Sequence, residues 1–240
     1  MNDLKGLLEI AKSAAEMTGD FLIKEKFHNK KILAEEGRDI KLELDRTAEK
    51  LIREKLEPTG INILGEEYGG KISENYNWVV DPIDGTANYF RGIDQCCVSI
   101  SLMQNKTSLI GVIYNFNTSE MYCSHKDGGA FLNGKKISVS KINEKNKASL
   151  TTGFPASESI ESSMKFLNDL KGWRKIRMFG SAALSCAYIA SGKCDCYLEK
   201  GVYLWDIAAG ICLVKEAGGC ANFNLIDKDK YEVMFSNNLL

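Results

Sequence analysis

Apolar residues recur every three or four positions along the first part of the chain. Leu4, Leu7, Leu8, Ala11, Ala14, Ala15, Phe21 and Leu22 make one such stripe, which predicts an amphipathic helix. A polar link containing Gly37 follows. Asp45, Ala48, Leu51, Ile52 and Leu56 predict a second helix that stops before Pro58 and Gly60. From Ile61 the rhythm changes to short apolar runs bounded by turn residues, predicting strands at 61–64 and 78–80. Residues 97–103, 109–114 and 120–123 read as an antiparallel meander. Residues 130–132 and 135–139 flank Asn133-Gly134, a hairpin signal because Asn-Gly supplies the positive φ of a type I′ turn.

The second half alternates differently. Residues 159–170 predict a helix, 175–178 an extended segment, and 181–190 a small-residue helix stopped by Gly192. A strand at 195–198, a helix at 206–216 and two short closing strands complete the pattern. Alternation of strands and helices implies a second α/β half. No Pro- or Ser-rich linker divides the chain, so two intimately packed lobes are expected, 1–145 and 146–240.

Composition narrows the partners. The 240 residues hold 31 Lys+Arg against 32 Asp+Glu, a formal charge of −1. Such a balance argues against attachment to nucleic acid or an anionic membrane through the net field. No export signal and no apolar run near the roughly 18 residues of a membrane span is present, so a cytoplasmic protein is expected. The eight cysteines then read as free thiols acting as small buried apolar groups. His28, in a charged helix-end segment, and His125, beside a turn, are the only histidines, and both read as surface residues. Histidine-based zinc or triad chemistry has little raw material here.

Acidic residues are the richer signal. Gly65-Glu66-Glu67, the run Asp81-Pro82-Ile83-Asp84-Gly85-Thr86, and Trp205-Asp206 each stand beyond a predicted strand or at a helix start. Singly, these are a solvated turn, a pair of turn dipeptides and an N-cap. The middle run says more. Asp81 follows the apolar strand 78–80, so it emerges at a strand's carboxyl end, where α/β ligand sites lie. Asp84 returns a second carboxylate to the same mouth, and Gly85 and Thr86 follow with backbone N–H groups suited to a phosphate.

These segments, with the Asp45 helix and Gly180-Ser181-Ala182, resemble the inositol monophosphatase superfamily along essentially the whole chain. The likeness is strongest to bacterial and archaeal inositol-1-monophosphatase/fructose-1,6-bisphosphatase proteins. The resemblance implies an α+β fold, a layered αβαβα sandwich, and a homodimer. It makes Glu66, Asp81, Asp84 and Asp206 metal ligands, with Ile83 contributing its carbonyl and Asp206 reaching across from the second lobe. Thr86 and Glu66 would orient the attacking water. Asp84, Gly85, Thr86, Gly180, Ser181, Ala182 and Glu199 would contact substrate, and Asp45 would face a third, outer metal. Converging carboxylates repel one another unless a cation lies between them. An all-oxygen donor set selects Mg²⁺, with Mn²⁺ as substitute; the resemblance adds Li⁺ as an inhibitor.

The implied activity is Mg²⁺-dependent hydrolysis of a small polyol or sugar phosphate, inositol-1-phosphate first. Fructose-1,6-bisphosphatase is the next reading, above all if one of Arg174, Lys175, Arg177 or Lys200 enters the cleft. The superfamily also holds 3′(2′),5′-bisphosphate nucleotidases and histidinol phosphatases. The continuation Ala87-Asn88-Tyr89 favours the polyol and sugar branches. A low-turnover regulatory binding protein on the same fold is the alternative of a different class.

Overall fold

The computed structural model describes residues 3–26, 32–36, 39–154 and 159–240, with 32–42 as backbone only. Helix α1 (Leu4–Glu25) starts where Asp3 accepts the Lys5 N–H, and it buries Leu8, Ala11, Ala14, Ala15 and Leu22, as its apolar spacing predicts. The polar link holds a two-stranded antiparallel ribbon, β1 (Ile32–Glu36) with β2 (Asp39–Leu42), which the sequence reading passed over. Helix α2 (Glu43–Leu56) follows directly.

A seven-stranded sheet comes next. Its strands are β3 (Asn62–Gly65), β4 (Tyr76–Asp84), β5 (Cys97–Gln104), β6 (Thr107–Asn115), β7 (Glu120–His125), β8 (Gly129–Leu132) and β9 (Lys135–Ile137), in that spatial order. Only β3 and β4 run parallel; the rest is the expected meander. Asn133 and Gly134 close the β8–β9 hairpin with φ of 47° and 76°. That is the doubly positive turn the dipeptide predicts. A short helix, α3 (Thr86–Arg91), sits between β4 and β5.

The second sheet has five strands, ordered β11 (Lys175–Arg177), β10 (Ser149–Thr152), β12 (Cys196–Tyr203), β14 (Lys230–Ser236) and β13 (Cys220–Asp227). Helices α4 (Ile160–Asp169), α5 (Ala182–Ala190) and α6 (Leu204–Glu216) complete the chain.

Burial explains the layering. Helices α1 and α2 pack on one face of the seven-stranded sheet through Leu22, Ile52, Val80 and Ile100. On the other face, Cys97, Ile113 and Tyr122 meet Leu184, Ile207 and Ile211, which also meet Tyr197, Val233 and Phe235 of the second sheet. Helices α5 and α6 therefore lie between two sheets and are apolar nearly all round, the signature of a fully buried helix. Gly111 allows the close approach, since a Cβ there would lie 2.2 Å from the Ala209 carbonyl oxygen. Helix α4 covers the far face through Phe166, against Leu150 and Cys196. The result is the α+β fold expected, in five layers αβαβα.

Seven cysteines are buried and all eight are free thiols, but Cys220 is only partly covered, a departure from the uniform burial expected. His28 lies outside the described residues; His125 is partly exposed and its Nδ1 lies 3.0 Å from the Lys126 carbonyl. Among the described residues no helix is long and apolar enough to cross a membrane.

Candidate active site

Asp81 and Asp84 are three residues apart on one strand, a separation that alternation would send to opposite faces. The ladder between β4 and β5 prevents this. Asp81 pairs with Ser99 and Asp84 with Cys97, so Pro82 and Ile83 share the single opposing residue Val98. This bulge adds one residue and returns both carboxylates to the same side. Pro82, which has no N–H to donate, is at home there. The strand thus runs through the acidic residues rather than ending at 80, as the apolar run alone predicts.

Asp206 joins them from the second half of the chain. Helix α6 begins at Leu204, two residues earlier than expected, so Asp206 stands in its first turn and not at the cap position. Its Oδ2 accepts the Tyr203 N–H at 2.7 Å. Carboxylate oxygens of Asp81, Asp84 and Asp206 lie within 4.8 Å of one another. Burial raises all three carboxyls above the ordinary range. Neighbouring negative charge adds to this at Asp81, from Glu66, Asp84 and Asp206, and at Asp206, from Asp84 and Glu66.

Asp84 differs in having many donors. Its Oδ2 accepts the Ser181 hydroxyl and the Ala183 N–H at 2.8 Å, and its Oδ1 accepts Ala182 N–H at 3.3 Å. The Cys97 thiol points at Oδ2 from 3.7 Å. Asp84 therefore caps the N-terminus of α5, where the helix dipole favours an anion. Among the described residues, Asp81 receives only the Ile83 N–H, at 2.9 Å.

Glu66 stands in the turn after β3 and lines the same cleft without belonging to the 4.8 Å group. Its turn is held from behind by Glu49, fully buried on α2. Glu49 accepts the N–H groups of Glu67 (2.6 Å) and Tyr68 (3.3 Å) and pairs with Arg53 Nε at 2.7 Å. Arg53 in turn donates to the Gly69 carbonyl at 2.8 Å. Sequence reasoning missed this pair. Its one trace is the four-residue spacing of an acid and a base, common on solvated helix faces.

Gly85 caps α3 at φ 91°, and a Cβ there would lie 2.8 Å from the Gln95 carbonyl oxygen and 3.1 Å from that of Gly180. Only glycine fits both demands. Thr86 Oγ1 donates to the Ile83 carbonyl at 3.0 Å and lies 3.4 Å from Asp45 Oδ1, so buried Asp45 backs this turn from α2. Asn88 clamps the halves, donating to the carbonyls of Gln95 and Phe179, each at 2.7 Å. Gly180, Ser181 and Ala182 line the opposite wall. The Ser181 hydroxyl is committed to Asp84 and to the Leu184 N–H at 3.1 Å, so the side chain positions Asp84.

Glu199 lines the cleft with Tyr197 OH on its Oε2 at 2.9 Å. Burial pushes its carboxyl up to about 7, against the lowering effect of that hydroxyl. The cleft has a volume of about 850 Å³. Arg174, Lys175 and Arg177 lie exposed on or beside the edge strand β11, and Lys200 pairs with Glu232 at 3.0 Å. None of the four lines the cleft. Lys230 does, unforeseen in the sequence.

Known proteins are similar to this chain in sequence and in fold. The chain is 36% identical over 222 residues to the Nus factor SuhB of Xylella fastidiosa, covering 90% of this chain and 81% of the relative. It is 34% identical over 230 residues to the fructose-1,6-bisphosphatase/inositol-1-monophosphatase of Aquifex aeolicus, covering 91% and 86%. The solved structure of the extragenic suppressor protein suhB of Bartonella henselae superposes with a TM-score of 0.90 at 30% identity, covering 98% and 95%. With a family model matching residues 3–222, the chain belongs to the inositol monophosphatase family.

Proposed function

We propose that the chain is a Mg²⁺-dependent phosphomonoester hydrolase of small polyol and sugar phosphates, with inositol-1-phosphate the first substrate. The observation that carries this is the meeting of Asp81, Asp84 and Asp206, drawn from both halves of the chain, within 4.8 Å. The donor set fits a hard divalent ion. It is all oxygen, and Asp81 and Asp206 are raised by burial and then by mutual repulsion, the second of which a cation would relieve. Asp81, Asp84, Asp206, Glu66 and the Ile83 carbonyl would hold two ions, with Asp45 nearest a third; Mn²⁺ would substitute and Li⁺ inhibit. Bound there, the ions supply charge neutralisation for the phosphate and a water acidic enough to attack it.

The chain's own groups do the rest. Gly85 and Thr86 present N–H groups of a helix's first turn, which lack intrahelical acceptors, to the phosphate. The Thr86 hydroxyl donates to the Ile83 carbonyl, so a lone pair of Oγ1 is left to accept a hydrogen bond from the attacking water and orient it. Glu66 faces that water from the β3 turn. Gly180 and Ala182 shape the wall for the substrate ring, and Glu199 accepts its hydroxyls. No side chain is needed as covalent nucleophile, so hydrolysis is direct and inverts at phosphorus.

A cytoplasmic homodimer completes the reading. Eight free thiols favour the first, and the open edge of β11 with exposed Ile176 and Met178 favours the second. A second reading, a low-turnover regulatory binding protein, draws on the relative named Nus factor SuhB. Phosphate release from inositol-1-phosphate, fructose-1,6-bisphosphate, 3′-phosphoadenosine 5′-phosphate and histidinol phosphate, with and without Mg²⁺, tests both. Mg²⁺-dependent turnover of the first supports the proposal. Silence on the whole panel with Mg²⁺ bound supports the regulatory reading.

A further inference from the structure

Lys230 is the one lysine or arginine among the described residues that line the acidic cleft. Backbone pairing fixes its place. It begins β14 directly opposite Tyr203 of β12 in the antiparallel register. Tyr203 is also the residue whose N–H the Asp206 carboxylate accepts. One strand pairing therefore ties the lysine to the acidic trio, and opposed residues of such a pair stand only about 5 Å apart at Cα.

Its surroundings hold the side chain in place. Lys230 is partly buried, and its Nζ lies 5.9 Å from the centroid of the Tyr203 ring. That ring stacks on Trp205 at 4.8 Å and 11°. An aromatic face attracts an ammonium and limits its wandering. The cleft's 850 Å³ stands near the upper end of small-molecule sites, about 300–1,000 Å³, leaving room for a second substituent on the ester. One wall offers Glu199, an acceptor for hydroxyls. Another offers Lys230, a compact point charge of the kind that binds phosphate.

We infer that Lys230 is a specificity-determining residue that binds a second phosphate, on an ester whose first phosphate is hydrolysed at the Asp81–Asp84–Asp206 centre. The inference rests on the phosphomonoesterase reading and assigns, within it, the residue that sets the preference between sugar bisphosphates and polyol monophosphates. The basic residues that sequence alone singled out, Arg174, Lys175, Arg177 and Lys200, do not reach the cleft, so the role passes to Lys230.

The test compares a hexose 1,6-bisphosphate with the same hexose 1-phosphate in wild type, Lys230→Met and Lys230→Arg. The ratio of their kcat/KM values should fall about tenfold in Lys230→Met, mostly through KM, the size of one charge-assisted contact at a part-exposed site. Lys230→Arg should restore most of the ratio. A ratio within twofold of wild type in Lys230→Met overturns the inference while leaving the hydrolase reading intact. Should wild type turn over neither ester nor inositol-1-phosphate, the hydrolase reading fails by itself. Calorimetric binding of the two esters with Mg²⁺ then decides for Lys230. A bisphosphate preference lost in Lys230→Met supports it, and equal binding in the two proteins sinks it.

Discussion

The carboxylate of Glu49 fills the space that a side chain on Gly65 would need. A Cβ at residue 65 would lie 2.0 Å from Glu49 Oε1, and the same carboxylate holds the N–H groups of Glu67 and Tyr68. Two changes should therefore loosen the Glu66 turn in the same way. Gly65→Ala should cost roughly 2 kcal/mol of stability by overpacking. Glu49→Ala should cost about 3 kcal/mol, because it strands Arg53 and two backbone donors. Urea unfolding measures both. Because the turn carries Glu66, Mg²⁺ affinity should fall as well in each variant. Glu49→Ala with wild-type stability and wild-type Mg²⁺ binding would show that the buttress is idle.

Asp81 and Asp84 share a strand and a cleft but not a hydrogen-bond environment, so the same substitution should act oppositely on stability. Asp81 carries burial and three like charges against one N–H. Asp81→Asn keeps an oxygen for the Ile83 N–H and removes the charge, and the metal-free protein should become more stable by about 1 kcal/mol at pH 8. Asp84→Asn would turn an NH₂ toward donors from Ser181, Ala182 or Ala183 and weaken the start of α5. A loss of about 1–2 kcal/mol follows. Both should lower kcat by roughly a hundredfold or more. Paired melting curves and Mg²⁺-dependent turnover check this, and parallel stability shifts in the two variants would contradict it.

Much of this is legible in the sequence. The 3.6-residue stripe of α1, the meander and the Asn133-Gly134 turn announce themselves because local periodicity and turn chemistry decide them. The segments 181–190 and 206–216 read as helices, the first rich in small residues; that both are apolar nearly all round, as a layer between two sheets requires, comes from their packing. Asp81, Asp84 and Asp206 were found by motif, but the reason for their meeting was not. The bulge at Pro82-Ile83 exists only as a register against β5. Glu49 looks like a solvated partner of Arg53 until β3 docks against α2. Lys230 stands 24 residues beyond Asp206 in the sequence, outside every motif, and only its pairing with Tyr203 delivers it to the cleft. What escaped was non-local pairing, which no window of sequence contains.

Mg²⁺ should stabilise the fold, and more so as pH rises. The folded values of Asp81, Asp84 and Asp206 are raised, so the metal-free folded state keeps protons that the unfolded chain releases near pH 4. The stability from those retained protons is whole below that range and is lost as pH climbs through the folded values. Ions binding the folded carboxylates displace protons, and their effect grows where the protons have already gone. Saturating Mg²⁺ should raise Tm by roughly 5–10 °C at pH 8.5. The rise at pH 6 should be clearly smaller. Calorimetry with Mg²⁺ or a chelator at the two pH values reads it, and a larger rise at pH 6 would refute the proton displacement.

Glu199 should give the enzyme a titration near neutrality that the metal-binding carboxylates do not explain. Burial pushes its carboxyl up to about 7, with Tyr197 OH opposing. The group accepts hydrogen bonds from substrate hydroxyls best when ionised, so kcat/KM for inositol-1-phosphate should rise with pH through about 7, chiefly by a falling KM. Glu199→Gln should flatten that limb, because its amide oxygen accepts at every pH but carries no charge to gain. Tyr197→Phe removes the one donor that favours ionisation, so it should move the limb to higher pH. Stability runs the other way. A raised carboxyl contributes stability below the unfolded value near 4.5 and loses it as pH passes 7, and Glu199→Gln should abolish this share of the decline. The two profiles, activity rising and stability falling across one pH window and both flattened by one substitution, separate a substrate-facing carboxylate from one that merely fills space. A Glu199→Gln enzyme with an unchanged KM profile would remove Glu199 from the substrate site.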